Sequence, residues 1–514
     1  MKLNQQNLIF VLILMLISQA CVSTLYKTSQ PNIILFFVDD LGWQDTSVPF
    51  WDQVTKFNKL YKTPNMKRLA AKGVKFTNAY STTVCSPSRV SLMTGMNAAR
   101  HRVTNWTLRP DTKQPMELNH PNLEFPSWNF NGIATSGNIK NAVYATSLPQ
   151  LLNDKGYYTI HAGKGHFGAI GYSSENPINL GFDINIAGHA AGAPGSYLGR
   201  DNFGNGDPKR KIWAVPGLEK YHGKDIFLTQ AITKEALSSL SKPIELDQPF
   251  FLYLSLYGVH TPFMADNRYI NNYIVQGLSR QEAKYASMIE SMDAALGKVL
   301  DFVENKGIAN ETVILFMSDN GGLSAVARGG EKHLHNAPLK SGKGSVYEGG
   351  IRVPMMAYWP GVTQENQIEE TPVIIEDFFP SIINMAGINK YQTIQKIDGQ
   401  SFVSLLKEEP NDLDERPLFW HYPNEWGPKG PGIGSFSAVR KGPWKLIYFH
   451  EDQHFELYNL TIDISEQNNL FQNDIKHSLT LVKILNKHLL MVDAQMPRNK
   501  ITQQQIPWPS DVFN

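Results

Sequence analysis

Residues 32–40 read Asn-Ile-Ile-Leu-Phe-Phe-Val-Asp-Asp, and this stretch decides the fold. Its apolar run is continuous rather than alternating, which is typical of a strand buried on both faces of a parallel sheet. Four further runs have the same character and lie between polar or glycine-rich turns: Tyr157–His161, Phe250–Tyr257, Thr312–Met317 and Val353–Trp359. We therefore predict a sheet built from buried parallel strands.

Helical patterns lie between these runs. The clearest is Gln281–Asn305, where apolar residues recur on one face and Gly307 supplies a stop signal. Strands that alternate with helices are typical of a wound α/β sheet. We predict that residues 31–405 form an α/β domain, with a large mixed, mostly parallel sheet sandwiched by helices.

From about Glu408 the pattern changes to short strands separated by turn signals, and a helix follows near His477–Val492. The predicted strands are Pro417–Tyr422, Ser437–Val439, Trp444–Phe449 and Phe455–Leu460. We predict that residues 406–514 form a smaller C-terminal α+β subdomain, an antiparallel sheet with one helix. The stretch Leu180–Gly217, rich in Gly, Asn and Pro, is predicted to form loops that face the ligand.

The composition bounds the class of protein. The chain has 514 residues, of which 42% are hydrophobic and 11% aromatic, which excludes a disordered chain and a small disulfide-stapled fold. The 48 Lys and Arg residues nearly balance the 47 Asp and Glu residues, and the net charge is +1. We identify no Lys/Arg block, so the charge pattern argues against nucleic acid or an anionic membrane surface as a partner.

The N-terminus has the order of a secretory signal: Lys2, the apolar run Leu8–Ile17, and small residues before Cys21. The run is too short to span a bilayer. We predict that residues 1–20 are a signal peptide and that the protein is exported, with the periplasm favoured over secretion or an outer-membrane lipoprotein anchored at Cys21. Without this leader Cys85 is the sole interior thiol, which argues against an internal disulfide.

Polar residues follow four of the predicted strands, at the edge where an open parallel sheet binds ligands. In chain order they are Asp39 and Asp40, Lys164 and His166, His260, and Asp319 and Asn320. Each alone has an ordinary structural interpretation as a cap or turn, but their coincidence predicts a site. The carboxylates and the amide supply hard oxygen ligands, which suit Ca²⁺ or Mg²⁺ rather than zinc or copper, and we favour calcium. The lysines and histidines, with Lys343, suit a phosphate or sulfate monoester.

Residues 85–95 read Cys-Ser-Pro-Ser-Arg-Val-Ser-Leu-Met-Thr-Gly. Proline near the first turn and the apolar spacing after it place Cys85 at the N-terminus of a helix. Free backbone N–H groups and the helix dipole favour a bound anion at such a position. Beside the acids and lysines, the pattern Cys-x-Pro-x-Arg with this continuation favours a sulfate ester over a phosphate ester.

These motifs resemble those of the formylglycine-dependent sulfatases of the alkaline phosphatase superfamily, and the resemblance runs from Pro31 to about Lys487. It implies that a maturase oxidises Cys85 to formylglycine, whose hydrated gem-diol attacks sulfur. It also implies that one calcium ion is held by the modified residue together with Asp39, Asp40, Asp319 and Asn320.

The same resemblance implies roles for the charged residues around Cys85. Arg89 holds the gem-diol, and Lys164 and Lys343 bind sulfate. His166 takes the gem-diol proton when the sulfated intermediate collapses, and His260 protonates the leaving oxygen. Residues 347–352, Tyr-Glu-Gly-Gly-Ile-Arg, are also characteristic of the family, and we interpret them as structural.

The leader and the lack of structural disulfides resemble those of exported Bacteroidetes polysaccharide sulfatases. This implies a sulfated carbohydrate as substrate, from ulvan, carrageenan or a glycosaminoglycan. Candidate recognition residues lie in loops expected around the mouth of the site: His101, Arg102, His189, Arg328, His333, His335 and Trp426.

Three alternatives stay open. A phosphatase or phosphonate monoester hydrolase on the same fold would usually carry Ser or Thr in place of Cys85, and two transition metals with more histidine ligands. A papain-like cysteine hydrolase would leave the acidic cluster unused. A non-catalytic protein that binds sulfated glycans requires the loss of a catalytic residue, and none is missing from this sequence.

Overall fold

The computed structural model describes residues 30–325 and 328–513. The predicted signal peptide, residues 1–20, and the candidate lipid anchor Cys21 lie outside these residues, so both stay predictions. Among the residues described, no helix combines the length and the apolar character that a membrane span needs.

The central element is an eight-stranded sheet. Its strands, in chain order, are β1 (Asn32–Val38), β2 (Val74–Phe76), β3 (Tyr158–Gly163), β4 (Ile184–Ile186), β5 (Phe250–Ser255), β6 (Thr312–Ser318), β7 (Met355–Tyr358) and β8 (Gln367–Glu369). They lie side by side in the order β8-β2-β7-β6-β1-β5-β3-β4. Strand β7 pairs antiparallel with both neighbours, and the other pairs are parallel. The predicted mixed, mostly parallel sheet is confirmed.

The strand predicted at Val353–Trp359 is present as β7, but the prediction that it runs parallel is wrong. It pairs antiparallel with β6, for example through Met355 opposite Met317. The connection from β6 to β7 leaves and re-enters the sheet at the same edge, where the backbone N–H of Gly321 donates to the carbonyl oxygen of Gly350 at 2.9 Å. A continuous apolar run is typical of a buried strand in either direction, so the pattern carried no information about direction.

Helices pack on the sheet. The longer ones in the described residues are α1 (Pro64–Lys72), α2 (Cys85–Thr94), α3 (Leu228–Ser239), α4 (Arg280–Asn305), α5 (Phe378–Met385) and α6 (Ile475–Met491). Shorter helices are Lys56–Leu60, Ala98–His101, Pro115–Leu118, Leu148–Asn153, Ser241–Glu245, Asn271–Ile274, Glu348–Ile351, Val403–Leu406 and Pro509–Phe513. Helix α4 confirms the helix predicted at Gln281–Asn305.

Strand β1 lies at the centre of the core because its side chains alternate between the two faces of the sheet. Ile33 and Phe37 pack in a hydrophobic cluster that includes residues of α2 and α5. Ile34 and Val38 pack in the opposite cluster, which includes residues of α1, α3 and α4. All four side chains are fully buried. The predicted sandwich of helices around a buried sheet is confirmed, and the end of β1 is held from both sides.

The C-terminal part contains a four-stranded antiparallel sheet with α6 against it. Its strands, in spatial order, are β9 (Leu418–Tyr422), β10 (Phe436–Lys441), β11 (Trp444–Phe449) and β12 (Phe455–Asn459). The predicted smaller antiparallel sheet with one helix is confirmed. The domain ranges 31–405 and 406–514 stay a prediction.

Short elements were not predicted, since three or so residues give no readable period. Strands β2, β4 and β8 have three residues each. The stretch Leu180–Gly217, predicted as loops, contains β4 and several 3-10 helices, among them Pro208–Trp213.

A buried cluster of charges joins the two sheets. Lys445 of β11 donates from Nζ to Glu348 Oε1 at 2.9 Å and to Glu466 Oε1 at 2.8 Å, and all three side chains are fully buried. Glu466 Oε2 also accepts from the backbone N–H of Glu348 at 2.7 Å. Because Glu348 belongs to segment 347–352, the cluster attaches the connection between β6 and β7 to the C-terminal sheet.

Candidate active site

The acidic residues predicted at the strand ends lie together. Asp39 and Asp40 follow β1, and Asp319 and Asn320 follow the neighbouring β6. The backbone N–H of Asp40 donates to Asp319 Oδ1 at 3.2 Å, and Asn320 Nδ2 donates to Asp40 Oδ1 at 2.8 Å. Asp40 has a φ of 60°, in the left-handed region that Asp tolerates better than most residues. The chain therefore turns directly after β1, and all four side chains are buried.

Cys85 is the first residue of helix α2, which confirms the prediction that it begins a helix. Every residue of the helix is buried. Its first turn lies against the acidic cluster, since Ser88 Oγ donates to the carbonyl oxygen of Asp319 at 2.5 Å. Lys343 Nζ donates to Cys85 Sγ at 3.2 Å. The helix therefore presents Cys85 to the sheet edge, between carboxylates and a lysine.

Two buried lysines pair with the two aspartates that follow β1. Lys164 Nζ lies 2.6 Å from Asp39 Oδ2, and Lys343 Nζ lies 2.5 Å from Asp40 Oδ1. Lys343 is on the cleft floor described below, whereas Lys164 is fully buried. Both ammonium groups are therefore held in place by short ion pairs.

Arg89 lies one helical turn after Cys85 and is fully buried. Its Nε and Nη2 donate to Asp319 Oδ2 at 3.0 and 2.8 Å, and its Nη1 donates to Ser255 Oγ at 2.6 Å. The guanidinium carbon lies 5.3 Å from the centre of the Phe37 ring. These contacts fix the guanidinium against the ends of β1, β5 and β6.

Burial and charge shift the pKa values in the cluster in different directions. Burial and the carboxylate at the end of β6 raise the pKa of Asp39 well above its ordinary value. Burial also opposes ionisation of Asp40, but the Lys343 ammonium outweighs it and lowers that pKa. Burial alone would raise the pKa of the Cys85 thiol, yet Lys164 and Lys343 lower it to about 6. The environment therefore favours negative charge at position 85.

His166 is a neutral histidine with one free acceptor. Its Nε2 donates to the carbonyl oxygen of Thr107 at 2.9 Å. Its buried Nδ1 has no hydrogen-bond partner among the described residues. Burial, followed by the Lys164 ammonium, lowers the pKa of His166 well below its ordinary value. The proton therefore resides on Nε2, and Nδ1 carries the lone pair.

The pKa of His260 is raised, in contrast to that of His166. Its Nδ1 donates to the carbonyl oxygen of Thr261 at 2.8 Å, and its Nε2 lies 3.8 Å from Asp40 Oδ2. Burial and the Lys343 ammonium act against protonation, but Asp40 and Asp39 outweigh them and raise the pKa of His260. Since His260 lines the cleft, it can present a proton at Nε2.

The donor set fits a divalent cation. Asp39 Oδ1 and Asn320 Oδ1 are buried and have no hydrogen-bond partner in the part of the chain that the structure describes. Such oxygens call for a donor, a water or a cation, and hard oxygens suit Ca²⁺ or Mg²⁺. Asp319, which the sequence grouped with these ligands, accepts from Arg89 on its Oδ2. Among the His, Cys, Asp and Glu side chains of the described residues, Asp39, Asp40, Cys85 and His260 each place one ligand atom within 4.8 Å of the others.

The cluster forms the floor of a cleft of about 600 Å³. Among its floor residues are Cys85, His166, His260 and Lys343. Its walls are largely apolar and include Trp106, Met116, Arg210, Trp213, Met264 and Trp426. Trp426 was predicted from the sequence, and the other five residues were not. Arg210 and Trp213 lie inside the stretch predicted as ligand-facing loops. The sequence of residues 209–213, Lys-Arg-Lys-Ile-Trp, was the one feature that could have indicated them.

In the described part of the chain, the cleft lining does not include six of the loop residues predicted to recognise substrate: His101, Arg102, His189, Arg328, His333 and His335. Arg328 is buried and forms a bidentate ion pair with Asp45, with both contacts at 3.0 Å. His101 is also buried, and its Nε2 lies 3.0 Å from Ser91 Oγ. Both side chains therefore make contacts in the interior of the protein, not in the cleft.

Two of the remaining four residues, Arg102 and His335, have side-chain partners outside the cleft lining. Arg102 forms an ion pair with Asp493. His335 is buried, and its Nε2 donates to a backbone carbonyl at 2.5 Å. His189 and His333 are half-buried.

Comparison with known proteins gives consistent matches over most of the chain. Residues 31–388 match the family model described as Sulfatase, and residues 341–495 match the one described as N-sulphoglucosamine sulphohydrolase, C-terminal. A protein of Formosa agariphila named Sulfatase is 30% identical over 531 residues, covering 93% of this chain and 92% of its own. N-acetylgalactosamine-6-sulfatase of Mus musculus is 30% identical over 409 residues, covering 77% of this chain and 69% of its own.

A solved structure extends the likeness to three dimensions. The crystal structure of Ps i-CgsB in complex with k-i-k-neocarrahexaose is 25% identical, with a TM-score of 0.70. The match covers 94% of this chain and 96% of that one. It therefore includes both the large sheet and the C-terminal sheet.

Proposed function

The chain belongs to the sulfatase family and is a sulfuric ester hydrolase, and from this premise we propose that it removes sulfate from a sulfated carbohydrate. The observation that carries this proposal is the position of Cys85. It begins a buried helix, lies 3.2 Å from Lys343 Nζ, and faces the cleft beside buried carboxylates. We further propose that a maturase converts Cys85 to formylglycine and that the site holds one calcium ion.

The proposed calcium ligands are Asp39, Asp40, Asp319, Asn320 and the modified residue 85. The buried oxygens of Asp39 and Asn320 that accept no hydrogen bond within the described residues support this assignment. When bound, calcium would withdraw electron density from a sulfate oxygen, and the formylglycine hydrate would supply the attacking oxygen. Arg89, fixed one turn after residue 85, is proposed to orient that residue.

Lys164 and Lys343 are proposed to bind the sulfate group. Both are buried, where charge interactions are stronger than in water. Each is already held by an aspartate, so little ordering remains when substrate binds. Their positive charge stabilises the negative charge that grows on the sulfate and on the leaving oxygen.

The two histidines are proposed to move protons at opposite ends of the reaction. His166 accepts a proton at Nδ1, because its Nε2 is occupied by Thr107 and its ring is neutral. His260 donates a proton from Nε2 to the leaving oxygen, because its Nδ1 is occupied by Thr261 and Asp40 favours its charged form. A sugar alkoxide leaves slowly without such a donor.

Two observations support a carbohydrate as the substrate. The names of the relatives refer to a sulfated aminosugar and to a neocarrahexaose. The aromatic walls of the cleft also suit the apolar faces of sugar rings. We propose a sulfated polysaccharide or oligosaccharide, such as ulvan, carrageenan or a glycosaminoglycan.

The remaining proposals concern organisation and location. Residues 31–405 are proposed as the catalytic domain and residues 406–514 as a subdomain that contributes Trp426 to the cleft. Residues 1–20 are proposed as a signal peptide that directs the protein to the periplasm. Anchoring at Cys21 and secretion are the alternatives.

Peptide mass spectrometry of protein co-expressed with a formylglycine-generating maturase tests the nucleophile. We expect the peptide that contains residue 85 to carry the aldehyde, and Cys85→Ala to abolish activity on 4-nitrophenyl sulfate without loss of soluble protein. Expression without the maturase supplies the matched unmodified control. A fully active protein with an unmodified thiol would overturn the assignment.

The same preparation separates the alternative functions. Two zinc ions per chain and a preference for phosphate or phosphonate esters would favour a phosphatase or phosphonate monoester hydrolase. Binding of a sulfated glycan without turnover, in protein shown to carry formylglycine, would favour a binding protein. Loss of sulfatase activity with a chelator and its recovery with added calcium is the result expected here.

A further inference from the structure

The cleft wall contains a basic segment that the proposed mechanism does not use. Residues 208–213 read Pro-Lys-Arg-Lys-Ile-Trp and form a 3-10 helix, and Arg210 and Trp213 line the cleft. Lys209 and Lys211 flank Arg210 and are exposed. The run of three basic residues, Lys209 to Lys211, places Arg210 in the lining of the cleft that Cys85 also lines.

Contacts within the loops hold this segment in place. The backbone N–H of Gly195 donates to the carbonyl oxygen of Trp213 at 2.6 Å, and Arg210 Nη1 donates to the carbonyl oxygen of Gly195 at 3.0 Å. A Cβ at Gly195 would lie 2.9 Å from Gly204 Cα, so this approach requires glycine. Arg210 Nε lies 3.3 Å from Asp207 Oδ2, and the arginine side chain is 44% exposed. These contacts fix the orientation of the guanidinium, while much of the side chain stays accessible.

Aromatic side chains line the same cleft in two groups. Trp213 and Trp106 both pack against a small buried cluster of Leu108, Ala190 and Ala191. Trp426 packs on the backbone next to the sulfate-binding lysine: a Cβ at Gly344 would lie 2.1 Å from its ring, and the Lys343 ammonium lies 5.9 Å from the ring centre. The cleft is therefore lined both by aromatic side chains, which suit sugar rings, and by the basic side chains of Arg210 and Lys343.

We propose that segment 208–213 binds a second anionic group of the substrate, on the sugar adjacent to the one that carries the scissile sulfate. Trp213 packs against the apolar face of a sugar ring, and the planar guanidinium of Arg210 binds a sulfate or carboxylate through parallel N–H donors. Lys209 and Lys211 add attraction for a polyanionic chain. This inference rests on the proposed function, because it requires that the floor cleaves a sulfate ester.

Three kinds of substrate test the inference. They are 4-nitrophenyl sulfate, a singly sulfated disaccharide, and the same disaccharide with a second anionic group on the neighbouring sugar. The second group is a sulfate in one preparation and a uronate carboxylate in another, which identifies the anion. The value of kcat/KM is measured for the wild type, Arg210→Ala and Lys155→Ala. Lys155 is the matched control, since it is exposed and precedes β3 at the sheet edge away from the site.

We expect Arg210→Ala to reduce the preference for the doubly anionic disaccharide over the singly sulfated one by roughly 10- to 100-fold, the effect of losing a hydrogen bond to a charged group. The change should be mainly in KM, and Lys155→Ala should keep the wild-type preference. An unchanged preference in Arg210→Ala would overturn the inference. A wild type that hydrolyses none of these sulfate esters would instead overturn the proposed function.

A second variant gives an independent measurement on exposed side chains. With Lys209 and Lys211 both replaced by alanine, kcat/KM for the doubly anionic disaccharide should depend less steeply on salt concentration than in the wild type. Parallel salt profiles of the variant and the wild type would contradict the role of these lysines. Equal melting temperatures show that the fold is retained.

Discussion

Replacement of Lys445 by methionine tests whether the buried charge cluster stabilises the junction of the two sheets. Methionine keeps an unbranched side chain but removes the ammonium that donates to Glu348 at 2.9 Å and to Glu466 at 2.8 Å. All three side chains are fully buried, so two carboxylates would be left without this partner. Removing one partner of a buried ion pair costs about 3–5 kcal/mol. We expect the free energy of unfolding to fall by this amount.

The pKa of Glu348 reflects the charges of the same cluster. Burial alone would raise it, but Lys445, followed by Arg352 and Arg440, lowers it from 4.5 to about 2. Since one pKa unit corresponds to about 1.4 kcal/mol, the shift represents roughly 3 kcal/mol of stabilisation. A depressed folded-state pKa stabilises the protein above pH 4.5, and this contribution is lost as the pH falls towards 2. Lys445 makes the largest favourable contribution, so its removal should raise the pKa of Glu348.

Glu466 provides the matched control. Burial, opposed in part by Lys445, raises its pKa to about 7. Of the two carboxylates that share Lys445, Glu466 is therefore the one whose charge is not compensated. A raised folded-state pKa means that Glu466 costs stability as the pH rises from 4.5 towards 7. Glu466→Gln removes this cost. Glu466→Gln should therefore lower the free energy of unfolding much less than Lys445→Met does. Between pH 4.5 and 7 the stability of the Glu466→Gln variant should also fall less than that of the wild type.

Urea unfolding followed by tryptophan fluorescence measures these differences as shifts of the transition midpoint. The double variant, Lys445→Met with Glu466→Gln, should recover part of the loss, because it removes one of the two carboxylates left behind. The reasoning is refuted if Lys445→Met unfolds at the wild-type midpoint, or if Glu466→Gln is equally damaging.

Three further predictions concern the site and its support. His260→Ala should slow hydrolysis of a sulfated sugar by roughly 100-fold or more and that of 4-nitrophenyl sulfate much less, because nitrophenol leaves without a proton; equal slowing in steady-state assays would place the acid elsewhere. Asp319→Ala should lose bound calcium and activity together, and a full calcium content by elemental analysis would exclude Asp319 as a ligand. Burial, followed by Asp377, raises the pKa of Glu376 to about 8, so wild-type stability should fall as the pH rises from 4.5 to 8, whereas Glu376→Gln should lack this fall. If the unfolding midpoints of the wild type and Glu376→Gln change in parallel over this pH range, Glu376 is not the cause of the fall.

The floor of the site could be predicted because it follows from local patterns. The continuous run before Asp39 identifies a buried strand, and residues at the carboxyl ends of parallel strands meet regardless of the loops between them. Pro87 and the spacing after it were enough to place Cys85 at the start of a helix. Roles of individual residues came from the family resemblance and stay predictions.

The walls of the cleft could not be predicted because they depend on the path of long connections. Arg328 precedes Lys343 in sequence, but its guanidinium turns inward to Asp45, just after β1. No local pattern pairs these two residues. Trp213 shows the reverse case, since a loop residue far from any strand end reaches the cleft. The direction of β7 was missed for the same reason, because it depends on where a connection re-enters the sheet.

The burial of helix α2 has a consequence for the timing of biosynthesis. Cys85 lines the cleft but is only 3% exposed, and every residue of the helix that it begins is buried, so the proposed maturase, which would read Cys85 to Arg89, needs this segment as an extended chain. If residue 85 is the formylglycine site proposed above, conversion would have to precede folding, and the folded protein could not be converted later. The active fraction of a preparation would then depend on the rate of conversion relative to the rate of folding.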